Sequence, residues 1–114
     1  MGHKVVKKIP GQPAEVLELP ELDYTYMKNL IDGGMLQVIS VPMPGGVQDL
    51  WMDEEGKLKA LPRNFVIPHY IGAMAGDFVV GPCFFAQATD EGKSTGLNAD
   101  EVEQALEFFE SVDR

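Results

Sequence analysis

Glycine and proline interrupt this chain from end to end. Twelve glycines and eight prolines fall among 114 residues. Proline stops helices and avoids central strands, while glycine supplies turns. Short elements with tight connections are what such a chain can form. No internal repeat or low-complexity tract competes with that reading.

The stretches between these breaks can be assigned in order. His3 to Ile9 is β-branched and partly alternating, so it predicts a strand. Pro10 to Pro13 turns the chain, and Ala14 to Pro20 predicts the second arm of a hairpin. Residues Glu21 to Gly34 carry helical spacing, with Leu22, Tyr26, Leu30 and Ile31 on one face. Gly33 and Gly34 stop that helix, one of them as a left-handed cap. Met35 to Met43 is a strand apolar on both faces, which points to a central place in a sheet.

The stretch "DLWMDEEGKLKALPRN", Asp49 to Asn64, is the most legible. It alternates, turns at Asp53–Lys57 and alternates again. A hairpin with Gly56 at positive φ is expected, with the acids in water. Downstream, "FVIPHYIGAMAG" is broken by Pro68 and predicts a short helix or loop. "DFVVGPCFFAQATD" reads as a strand with a break at Gly81–Pro82. In "NADEVEQALEFFESV", Asn98 is an N-cap with Glu101 three residues on, and Leu97 staples onto Val102. Val102, Ala105, Leu106 and Phe109 form its apolar stripe.

These elements predict a single α+β domain over 1–114. Its sheet is small, mainly antiparallel and of about five strands, with two helices packed over one face. The formal charge is −9, from 18 acids against 9 bases. Phosphate binding needs a basic surface, so direct nucleic-acid binding is not expected. No apolar run reaches membrane-helix length, and "MGHKVVKKIP" lacks the apolar stretch of a signal peptide. A cytoplasmic protein is expected. Cys83 stands alone among apolar neighbours, as a reduced buried thiol.

Few residues carry chemistry. His3 is expected to be a loose terminal residue, and His69 lacks any zinc-type partner spacing. Asp53, Glu54 and Glu55 do not match a calcium loop, because Gly56 comes too early and lysines follow. The glycines make no phosphate loop, and Ser40, Ser94 and Ser111 lie in no nucleophile elbow. No cofactor or metal is therefore expected. Arg63 and Asn64 are the polar pair of most interest: Arg grips anions bidentately, and Asn reads a polar edge or closes a turn. Trp51, Tyr24, Tyr26 and Tyr70 offer stacking surfaces, and core packing is their alternative use. Arg63, Asn64, Trp51 and His69 form the candidate site for a ligand or partner.

The pieces "IPGQPAEVLEL", "LIDGGMLQVISV", "DEEGKLKALPRN", "IGAMAGDFVVGP" and "NADEVEQALEFF", in that order, resemble the domain-of-unknown-function family numbered 3846. One departure is that the family often carries Arg directly after the Asn; here Phe65 follows Asn64 and Arg63 precedes it. The resemblance implies an accessory domain of bacteria, phages or plasmids, with no assigned activity. Three functions follow as expectations. The first is a non-enzymatic binding domain for a partner protein or small ligand, with a homodimer plausible through a sheet edge. The second is an acidic decoy of nucleic acid, drawing on the charge of the last helix. The third is a small enzyme using His69, Asp77 or Cys83.

Overall fold

A computed structural model describes residues 2–113. The first strand, β1 (His3–Lys8), pairs antiparallel with β2 (Glu15–Leu19), Val5 opposite Leu17. Helix α1 (Tyr24–Leu30) leads to a second antiparallel hairpin, β3 (Leu36–Met43) with β4 (Gly46–Asp53). β5 (Arg63–Val66) pairs with β6 (Phe78–Val80) in a separate ribbon, joined through a 3-10 segment at His69–Met74. β7 (Cys83–Ala88) enters the main sheet, β8 (Ser94–Thr95) pairs with its end, and α2 (Ala99–Val112) closes the order. The class is α+β, as expected. The sheet order is β2-β1-β7-β4-β3, with β8 beside β7.

The two helices lie on opposite faces of the sheet, not on one. Successive strand residues point to opposite sides, and neighbours on β1 and β7 do so here. Val6, Phe85, Leu50 and Met52 join a cluster with Ala105, Phe108 and Phe109 of α2. Val5, Phe84 and Ala86 join one with Met27 and Leu30 of α1. The first cluster also takes Phe65 and Val79 from the small ribbon and Ile67 from just after β5. Its rings meet edge-on, Phe85 to Phe108 at 5.4 Å and Phe65 to Phe108 at 5.8 Å between centroids, an arrangement that favours aromatic quadrupoles.

α2 begins as its sequence requires. Asn98 Oδ1 accepts from the Glu101 N–H at 2.8 Å, and Glu101 Oε1 accepts from the Asn98 N–H at 2.9 Å. The stripe is wider than expected, because Phe108 is buried with Phe109. At the other end, the buried Lys8 ammonium reaches Asp113 Oδ1 at 3.3 Å and ties β1 to the helix terminus. α1 turns Met27, not Tyr26, into its core with Leu30. It ends in a Schellman pair: the Gly33 N–H bonds Lys28 O and the Asp32 N–H bonds Asn29 O. Both Asp32 and Gly33 have positive φ.

Three other expectations change. β3 is an edge strand, with Val38 43% exposed. Pro42 has no N–H to donate and suits an edge. His3 is a regular member of β1, opposite Leu19. The segment after β4 is not a hairpin. Asp53 is buried and folds the chain back on itself: its Oδ1 accepts from the Glu55 N–H at 2.9 Å, and its Oδ2 accepts from Lys59 Nζ at 2.8 Å. A second Schellman pair follows, Leu61 N–H to Gly56 O and Ala60 N–H to Lys57 O, with Ala60 at φ +55. Gly56 lacks a positive φ and is needed for space, since a Cβ there would lie 2.5 Å from Val80 Cγ2.

The break at Gly81–Pro82 is complete. It divides the expected strand between two sheets, β6 in the ribbon and β7 in the main sheet.

Candidate functional site

The short α1 does not cover its side of the sheet. Between its first turn and β4 lies an open groove of about 890 Å³. Leu22, Met27, Leu36 and Trp51 supply apolar wall, and His3, Glu21, Asp23, Lys93 and Ser94 supply polar rim. The first turn of α1 is fixed by Asp23, whose Oδ1 accepts the Tyr26 N–H at 3.0 Å. That bond holds Tyr24 at the groove mouth, 62% exposed, with the Lys28 ammonium 5.3 Å from its ring centroid.

Trp51 is set in the groove by the sheet, opposite Val38 on β3 and Phe84 on β7. Its indole Nε1 is buried and has no hydrogen-bond partner among the described residues. A donor left without an acceptor costs about 1–3 kcal/mol. An apolar body with one acceptor atom is the ligand chemistry that relieves this.

Two carboxylates flank Trp51 on the same face of β4 and are shifted in opposite directions. Burial pushes the Asp49 carboxyl above its ordinary value. Burial pushes Asp53 the same way, but the Lys59 ammonium and the Glu55 and Met35 N–H groups together outweigh it and hold Asp53 low.

The other expected site residues lie elsewhere. Asn64 is a structural clamp. Its Nδ2 donates to Lys8 O at 2.9 Å and Gly81 O at 3.0 Å, and lies 3.5 Å from Cys83 Sγ. It thereby joins β5, β1 and the Gly81–Pro82 break. The Arg63 guanidinium stacks at 3.9 Å over the Phe78 ring on the small ribbon. His69 is exposed, edge-on to Tyr70 at 5.7 Å. Trp51 is thus separated from Arg63 and Asn64, whose ribbon packs into the other cluster.

The residues of the enzymatic reading are each occupied differently. Cys83 is fully buried, and burial pushes its thiol up, away from the thiolate. Asp77 pairs with Lys57, and that bond lowers its carboxyl. Among the described residues no group of three or more His, Cys, Asp or Glu could hold a metal ion. No helix among them is long and apolar enough to cross a membrane.

The family described as Domain of unknown function (DUF3846) matches residues 3–110. The chain belongs to that family. The matched span takes in every strand, α1, and all of α2 but its last two residues, so the groove and both clusters fall within the family's domain. No curated protein and no solved structure matches the chain.

Sequence reasoning singled out Trp51 but missed His3, Leu36 and Met27 as its neighbours. It also missed Gln48, whose signal is present: it shares the inward register of Leu50 and Met52 on β4.

Proposed function

We propose that this domain is a binding module, without catalysis of its own, working in the cytoplasm as an accessory protein. Its ligand is a small molecule with an apolar body and one hydrogen-bond acceptor, seated in the groove under α1. The observation that carries this reading is the buried Trp51 indole N–H in the wall of that groove, unpartnered among the described residues. The reduced, buried Cys83 suits a reducing compartment.

Trp51 is the chain's single tryptophan, so its emission reports on the groove alone. The test presents the small-molecule fraction of a cell extract to the purified protein. Emission is followed, and retained molecules are identified by mass spectrometry. Wild type is expected to retain one class of apolar acceptor, and Trp51→Phe to lose it while staying folded. Retention of nothing, or equal retention by Trp51→Phe, would end the proposal.

A second reading has one observation in its favour. Asp100, Glu103, Glu107 and Glu110 follow one another at three- and four-residue spacing, exposed on α2. They rise about 5 Å per carboxylate, against about 3.4 Å per phosphate on one DNA strand. A decoy of nucleic acid would hold a basic nucleic-acid-binding protein in a salt-dependent way. Neutralising these four positions would abolish that capture.

A further inference from the structure

Away from the groove, the first turn of α2 meets the β3–β4 turn over a small cleft of about 170 Å³. Gln48, Gln87, Glu101 and Gln104 line it, with Asp100 and the Gly45–Gly46 turn at its edge.

The hydrogen bonds of this cleft commit the Gln87 amide nitrogen twice and leave one buried acceptor of Gln48 over. Gln48 is only 1% exposed. Its Nε2 donates to Glu101 O at 2.9 Å, while its Oε1 is buried with no partner among the described residues. Exchanging the two amide atoms would set Oε1 against the Glu101 carbonyl, so the bond fixes the orientation. Gln87 Nε2 commits its hydrogens to Val47 O and Glu101 Oε2, both at 2.6 Å. The Glu101 N–H is taken by Asn98.

Charge points the same way. Asp100 and Glu101 bring two carboxylates, and among the described residues no lysine, arginine or histidine lines the cleft. The helix end opposes them with a partial charge of only about +0.5. The volume corresponds to roughly six waters at about 30 Å³ each, enough for a head group and a short stem but not for a nucleotide.

We propose that this cleft binds an organic cation carrying N–H donors, a guanidinium or primary ammonium head that donates to Gln48 Oε1 beside Asp100 and Glu101. Met43 and the glycine turn flank the stem. The proposal is independent of the Trp51 groove, and either can fail alone.

A free alkylguanidine and an arginine side chain present the same head, so both serve as probes. Isotope-labelled protein is titrated with methylguanidinium, with a short neutral peptide bearing one arginine, and with tetramethylammonium. The readout is the side-chain amide resonances of Gln48 and Gln87. Methylguanidinium is expected to shift them saturably. A comparable shift with the peptide assigns the site to a partner's side chain, and its absence assigns the site to free cations. Tetramethylammonium, charged but without donors, is expected to leave them in place. Gln48→Met should weaken binding about tenfold, the loss of one charge-assisted hydrogen bond. Asp100→Asn, at an exposed position, should also weaken it and serves where Gln48→Met fails to fold. Three results would each overturn the proposal: no saturable shift with either guanidinium probe, an equal shift with tetramethylammonium, or unchanged affinity in the folded variants. The first of these would mean that solvent alone satisfies Gln48.

Discussion

The two faces of the main sheet are made from the same strands and finished differently. On one, a 14-residue helix and the β5–β6 ribbon bury four phenylalanines against one another. On the other, a seven-residue helix covers Phe84, Ala86 and Val5 but leaves Trp51 only partly covered. Single steps along a strand, Val5 to Val6 or Phe84 to Phe85, cross from one environment to the other. The closed face is packed throughout, while the open one keeps a groove and, among the described residues, an unpartnered donor.

The comparison breaks most sharply at Phe85. Phe85→Ala should cost about 3–5 kcal/mol in denaturant unfolding, as a large cavity in a packed core does. Trp51→Phe, on the open face, should stay within about 1 kcal/mol of wild type, because it removes an unsatisfied donor along with some packing. Comparable losses at the two positions would show that the faces are energetically alike. Asn64→Ala should fall between them, at about 2–3 kcal/mol, since it strands the Lys8 and Gly81 carbonyls. Its groove binding should be unchanged; a stable variant that fails to bind would return Asn64 to the functional site.

The carboxylates flanking Trp51 separate by pH. Asp53 is held low in the folded state, so it stabilises above the ordinary carboxylate value of 3.8 and that contribution fades as pH falls below it. Asp49 is raised, so its burial disfavours folding once it ionises, and stability is recovered as pH drops toward 3.8. Unfolding followed between about pH 3 and 6 should show Asp53→Asn losing the acid-side decline and Asp49→Asn losing the gain. The smallest effect is expected at Ala60. Its left-handed backbone favours glycine, and Ala60→Gly should raise stability by up to about 1 kcal/mol. A loss instead would mean that the turn chain after Asp53 is not held as described.

What could be read from sequence follows how local the physics is. The capping box of α2 and the hairpin of β1 and β2 depend on neighbours in the chain, and both were legible. The turn after β4 was not. Gly56 fits a hairpin loop by composition, but the buried Asp53 recruits Lys59 and Glu55 and winds the segment into turns instead. β3 misled in another way, because two apolar faces mark a central strand only when something lies beside each edge. Trp51 was weighed as a stacking surface or as core packing, and it packs against the α1 cluster at the groove. The groove around it depends on how little α1 covers, which only the packing decides.

The place of β7 has a consequence for synthesis. It lies between β1 and β4, yet follows both in the chain by at least 30 residues. A nascent chain therefore holds two hairpins whose inner edges stay bare until Cys83–Ala88 emerge. Bare edges invite pairing with other chains. Translation speed across β5, the 3-10 segment and β6 sets how long that exposure lasts.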